Sequence, residues 1–218
     1  MSGPAPRPIV VVNPNSNTAV TAGIDAALAV FRFPGGPAIE CLTLAEGPFG
    51  VESQRDAEAV VLPLGRLVER RPDAGAFVIA CYSDPGLDLC RTLTPAPVFG
   101  IQEAGVLSAM ARADRFGVVA ISEASIGRHL RSMRRMGVLE RLAGERALGV
   151  SVADSGGDAA FAALERVGRA LVGDGAGAII LGCAGMAPQR ARLADALGAP
   201  VIDPTQAAVA MALGAVLA

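Results

Sequence analysis

The sequence predicts an α/β protein of two pseudo-symmetric lobes, each a four-stranded parallel sheet flanked by helices, with its candidate site in the cleft between them. Three observations predict this. Short apolar, β-branched runs alternate with longer Ala/Leu/Arg-rich stretches, the pattern of parallel strands joined by crossover helices. With 52% hydrophobic and only 18% charged residues, the 218-residue chain can bury a core and has no disordered composition. The two halves also echo each other: Phe77-Val78-Ile79-Ala80-Cys81 returns as Ala178-Ile179-Ile180-Leu181-Gly182-Cys183, and Pro97-Val98 follows Cys81 by sixteen residues as Pro200-Val201 follows Cys183 by seventeen.

The first half opens with a strand at 9–12, an Asn/Ser-rich turn suited to an N-cap, and a helix over 18–31. A strand at 39–44 leads to a helix over 53–71 that Pro63 is expected to kink. Strand 77–80, helix 86–93, strand 98–101 and helix 103–113 complete it. The second half reads as strand 117–121, helix 126–143, strand 148–152, helix 157–173, strand 178–181, helix 189–197, strand 201–202 and helix 204–217. The expected division is 1–103 plus 205–218 for one lobe and 104–204 for the other, packed as one unit.

Composition excludes much chemistry. All 19 basic residues are Arg, so a Schiff-base lysine, a pyridoxal phosphate anchor and a P-loop lysine are impossible. One His, His129, leaves no full Ser-His triad repertoire and no His-rich metal site, and no cofactor or metal is expected. A net charge of -2 with eight aromatics gives no nucleic-acid footprint. The longest apolar runs, 76–82 and 207–213, fall far short of the ~18 residues that span a bilayer. Residues 1–8 lack the pattern of an export signal, so the expectation is a cytoplasmic protein without structural disulfides, acting on a small molecule and assembling as a homo-oligomer.

The remaining reactive groups are Cys41, Cys81, Cys90 and Cys183, with no Cys-x-x-Cys spacing. Cys41 falls within a strand and Cys90 within a helix, which suits small buried hydrophobes. Cys81 and Cys183 fall instead where a strand stops, at the same place in each repeat. Ligands of open parallel sheets bind beyond the carboxyl ends of the strands. Two lobes related by a pseudo-twofold axis would aim these thiols at each other.

Three stretches, Val12-Asn13-Pro14-Asn15-Ser16-Asn17, Cys81-Tyr82-Ser83-Asp84-Pro85-Gly86-Leu87 and Leu181-Gly182-Cys183-Ala184-Gly185-Met186, resemble the hydantoin racemase branch of the aspartate/glutamate racemase superfamily. The resemblance runs over nearly the whole chain and departs from the branch at Tyr82, where Phe is more usual, and in the Ile121-Ser122-Glu123 loop. It implies a cofactor-independent racemase with Cys81 and Cys183 as the catalytic pair, acting on 5-monosubstituted hydantoins or allantoin. The alternatives are an arylmalonate decarboxylase-like or maleate isomerase-like enzyme on the same scaffold, and a non-catalytic small-molecule binding protein; retention of both cysteines favours proton transfer.

Racemising a carbon acid needs a base on one face and an acid on the other, and two thiols serve both directions. Helix N-termini lower thiol pKa values, so one thiolate at neutral pH is expected. Backbone N–H groups of Tyr82, Ser83, Ala184 and Gly185 are candidate donors to the enolate. Asn13, Asn15 and, in the second lobe, Ser122 are candidate substrate contacts, although the Asn run also suits a plain turn. Asp84 and Asp88 are expected to cap and solvate the helix after Cys81, with Asp84 near enough to tune the thiol. The basic stretch 128–135, which contains His129, reads as a solvated helix face, with binding of an anion or partner as the alternative. The 154–158 run reads as a loop entering a helix.

Overall fold

The computed structural model describes residues 6–155 and 157–218. Gly156 of the Gly-rich loop and residues 1–5 of the amino-terminal stretch lie outside the described residues. Two four-stranded parallel sheets form. Strands β1 (Ile9–Asn13), β2 (Ile39–Thr43), β3 (Ala76–Ile79) and β4 (Val98–Gly100) are ordered β2-β1-β3-β4; β5 (Phe116–Ala120), β6 (Leu142–Ala147), β7 (Ala178–Gly182) and β8 (Val201–Ile202) repeat the order as β6-β5-β7-β8. Central strands β1, β3, β5 and β7 are buried along their whole length, as both faces carry helices.

The helices are α1 (Thr18–Ala27), α2 (Gln54–Ala59), α3 (Val61–Glu69), α4 (Leu87–Leu93), α5 (Ile101–Met110), α6 (Glu123–Met136), α7 (Asp158–Gly173), α8 (Arg190–Leu197) and α9 (Pro204–Leu217). Alternate residues of the first sheet divide two cores. Val10, Val12, Phe77 and Ile79 face α2, α3 and α4, while Ile9, Val11, Val78 and Ala80 join the apolar interior of the second half. Helix α5 leaves β4 to pack on β7, α9 returns from β8 to pack on β3, β1 and β4, and the two helices pack on each other. Asp203 caps α9 by accepting the N–H groups of Thr205 and Gln206.

Two elements differ from expectation. The 53–71 helix is two: α2 ends at Val60, and Pro63 occupies the first turn of α3, where its missing N–H costs nothing. The second difference is larger. The expected strand 148–152 is a loop, and β6 is Leu142–Ala147, whose first two residues were expected at the end of a helix and whose other four in the connection after it. As an edge strand paired only with β5, β6 stays half-exposed and needs no unbroken apolar run. Helix α6 stops at Gly137, whose φ of 71° lets the Gly137 and Val138 N–H groups turn back onto Arg134 and Met133 in a Schellman closure. At the far end Gly149, φ 78°, breaks the extended chain.

At the end of β7, a Cβ on Gly182 would lie 2.5 Å from the Val119 carbonyl oxygen of the neighbouring strand. Gly182→Ala is therefore expected to destabilise the protein by about 1–3 kcal/mol through overpacking, read as a lower urea midpoint.

Candidate active site

Cys81 follows β3 after Ala80, and Cys183 follows β7 directly, so matching strand ends of the two sheets deliver both thiols. They line one cleft of about 410 Å³, counted to its mouth, with Asn15, Val20, Val51, Tyr82, Ser83, Ile121, Ser125, Arg128, His129, Val152, Ala184 and Gly185 also in its wall. All four cysteines are free; Cys90 is buried in the core and Cys41 is half-buried on the edge strand β2. Among the described residues no cluster of three metal-ligating side chains occurs. No helix among them is long and apolar enough to cross a membrane.

The thiols are not tuned as expected. Burial pushes Cys81 up to about 12, reinforced by the nearby Cys183 and Asp84 and opposed by Arg128 and the Ser83 N–H. Burial also raises Cys183, against the Gly185 N–H and the Ser155 hydroxyl, whose oxygen lies 4.0 Å from Sγ. The helix N-termini are poorly placed to counter this. Helix α4 starts six residues beyond Cys81, and Ala184–Gln189 after Cys183 is a 3-10 stretch; the dipole acts only within about a turn. Burial therefore holds both cysteines as thiols at neutral pH.

The expected donors sort themselves. The Ser83 N–H is bonded to the Cys81 carbonyl at 2.8 Å, and the Gly185 N–H is turned to Cys183. Among the described residues, the N–H groups of Tyr82 and Ala184 have no protein acceptor. Asn13 is buried outside the cleft wall. Its amide donates to Asn15 Oδ1, the Asn17 carbonyl and Thr21, and its Oδ1 accepts from the Asn15 N–H. That network fixes the turn and, among the described residues, leaves Asn15 Nδ2 without a protein partner at the cleft. Ser122 is not in the wall either: its hydroxyl is buried and unpaired, and Ser125, whose hydroxyl bonds the Ser122 carbonyl, takes the lining position.

Asp84 caps a different helix from the one expected. Its carboxylate accepts from Gln102 and Glu103 N–H at 2.8 and 2.9 Å, at the start of α5, while α4 begins at Gly86 without a side-chain cap. These bonds hold Asp84 at φ 45°, a conformation costly for a residue with a Cβ, and so fix the turn that carries Tyr82 and Ser83. Asp88 is exposed and pairs with Arg135 at 3.5 Å.

The basic helix face is a further correction. Arg128 and His129 of α6 are both buried and line the cleft. His129 Nδ1 lies 2.5 Å from Glu145 Oε1 on β6, with both side chains 2% exposed, and the Tyr82 ring stands edge-on at 4.9 Å. Glu52, from the loop before α2, bridges the lobes: its carboxylate accepts the Val152 N–H and its carbonyl accepts from Arg128. The spacing 125, 128, 129 on α6, continued by Ile121 two residues before it, is a helical stripe that carried this signal. Glu145→Ala, which strands the His129 N–H in the interior, is expected to cost about 1–3 kcal/mol in urea unfolding.

The model of the Asp/Glu/Hydantoin racemase family matches residues 9–212. The chain belongs to this family. Hydantoin racemase of Paenarthrobacter aurescens is 38% identical over 214 residues, covering 94% of this chain and 89% of that protein. Hydantoin racemase of Pseudomonas sp. (strain NS671) is 36% identical over 210 residues, with 94% and 84% covered. Among solved structures, allantoin racemase from Klebsiella pneumoniae superposes with a TM-score of 0.89 at 31% identity, over 96% of this chain and 87% of that one. This racemase is therefore an isomerase with the two-sheet architecture of its relatives.

Proposed function

We propose that this racemase interconverts the enantiomers of 5-monosubstituted hydantoins, or of allantoin, by proton transfer between Cys81 and Cys183 without a cofactor. The observation that carries the reading is the placement of both thiols, at matching strand ends, in the wall of a single cleft. Relatives named hydantoin racemase and allantoin racemase support the substrate class. In each direction one cysteine, as thiolate, takes the C5 proton; the C–H electron pair passes into the ring as an enolate, and the opposite thiol returns a proton to the other face. The Tyr82 and Ala184 N–H groups suit the enolate oxygen, and Asn15 Nδ2 suits a ring carbonyl. Four free thiols fit a reducing, cytoplasmic setting.

The test is an enantiopure 5-substituted hydantoin in deuterated buffer. Loss of optical rotation with deuterium appearing at C5 is the expected result. No exchange from either enantiomer across hydantoins and allantoin would overturn the reading.

A further inference from the structure

Arg128 is 8% exposed, and no carboxylate lies within 4 Å of its guanidinium among the described residues. Its hydrogen-bond partners are all neutral: Ser83 Oγ at 3.3 Å from Nε, and the Glu52 and Ala124 carbonyls at 3.3 and 3.1 Å from Nη1. Among the described residues Nη2 has no protein partner. A buried cation is costly unless a negative charge meets it, and neutral acceptors offset only part of the cost. Among the described residues no Asp or Glu lines the cysteine cleft, although a neighbouring cavity that Arg128 also borders is lined by Glu58, Asp84, Asp88 and Glu103. The other basic side chain in the wall, His129, already faces the Glu145 carboxylate. Arg128 thus places beside Cys81 a positive charge that has no directly paired carboxylate among the described residues, the nearest influence being the longer-range field of Asp56.

Deprotonation of a carbon acid supplies the missing partner. When the C5–H bond breaks, the thiolate takes the proton and becomes a neutral thiol while the C–H electron pair moves to the adjacent carbonyl, so the negative charge passes from sulfur to that oxygen. We propose that Arg128 is a catalytic residue of this racemase, its guanidinium taking up the charge of the enolate oxygen as it forms. The inference rests on the proposed hydantoin racemisation. Its neutral contacts hold the guanidinium in place from both lobes, Ser83 and Glu52 from one and Ala124 from the other, so little reorganisation is needed when charge arrives.

The experiment compares wild type with Arg128→Gln, Arg128→Lys and Arg128→Ala, each checked by circular dichroism and thermal melting. Arg128→Gln is expected to lose about 10²–10³-fold in kcat/KM, as loss of one preorganised donor does elsewhere. The loss is equal for both enantiomers, because mirror-image substrate and product have equal energy. Arg128→Lys keeps a cation and recovers part of the rate, and guanidinium chloride below denaturing concentration partly restores Arg128→Ala without raising its melting temperature. An active wild type with Arg128→Gln equally active overturns this inference alone. So does a loss that tracks lowered melting temperature, with no advantage for Lys and no guanidinium rescue, since that is the behaviour of an inter-lobe clasp. A wild type inert toward every hydantoin overturns the proposed reaction and this inference with it.

Discussion

Replacing either Cys81 or Cys183 by Ala is expected to lower racemisation by at least about 10²–10⁴-fold, the contribution of one positioned proton-transfer group. Losing both should cost little more than losing one, because inversion needs the two together and groups that act as a unit are not additive. The fold should survive: each change removes one sulfur from the wall of a cleft and leaves the strand ends intact. The Ser variants separate the roles. Cys81→Ser retains Cys183, which can still remove and return a proton on its own face. The enantiomer presenting C5–H to Cys183 should then take up solvent deuterium without inverting, and Cys183→Ser should do the same for the opposite enantiomer. Racemisation at the wild-type rate by either Ala variant would remove the two-thiol mechanism.

The pH dependence should be steep and rising. A thiol whose folded-state pKa is raised is protonated at neutral pH, so the thiolate needed for abstraction is scarce there and grows as pH rises. With Cys81 at about 12, kcat/KM, which reports the free enzyme, should climb about tenfold per pH unit through the mildly alkaline range. The titration belongs to the pair, since ionising one thiol opposes ionising the other. Initial rates of optical-rotation loss between neutral and alkaline pH, corrected for uncatalysed racemisation, test this. A profile already flat at neutral pH would mean a depressed thiol and would contradict the burial argument.

Much of the fold was legible because its signals are local. The buried strand runs 9–12, 77–80 and 178–181 announce central strands, and Pro204 after Asp203 announces the start of α9. Strand β6 was not legible. Leu142–Ala147 has helix-forming composition and becomes a strand only because an open edge of β5 accepts it. Gly137 was the available clue: a C-terminal glycine that ends α6 before residue 142.

The same division runs through the site. Sequence alone placed Cys81 and Cys183 at matching strand ends, because a repeated strand-end position is a property of spacing. It also determined that lysine chemistry is absent, since all 19 basic residues are Arg. The inward face of α6, the pairing of His129 with Glu145, the capping of α5 by Asp84 and the raised thiols were decided only in the tertiary structure. Periodicity tells which residues share a face but not what that face meets. Desolvation and charge compensation depend on every element packed around a group, and for Cys81 and Arg128 those elements come from both lobes.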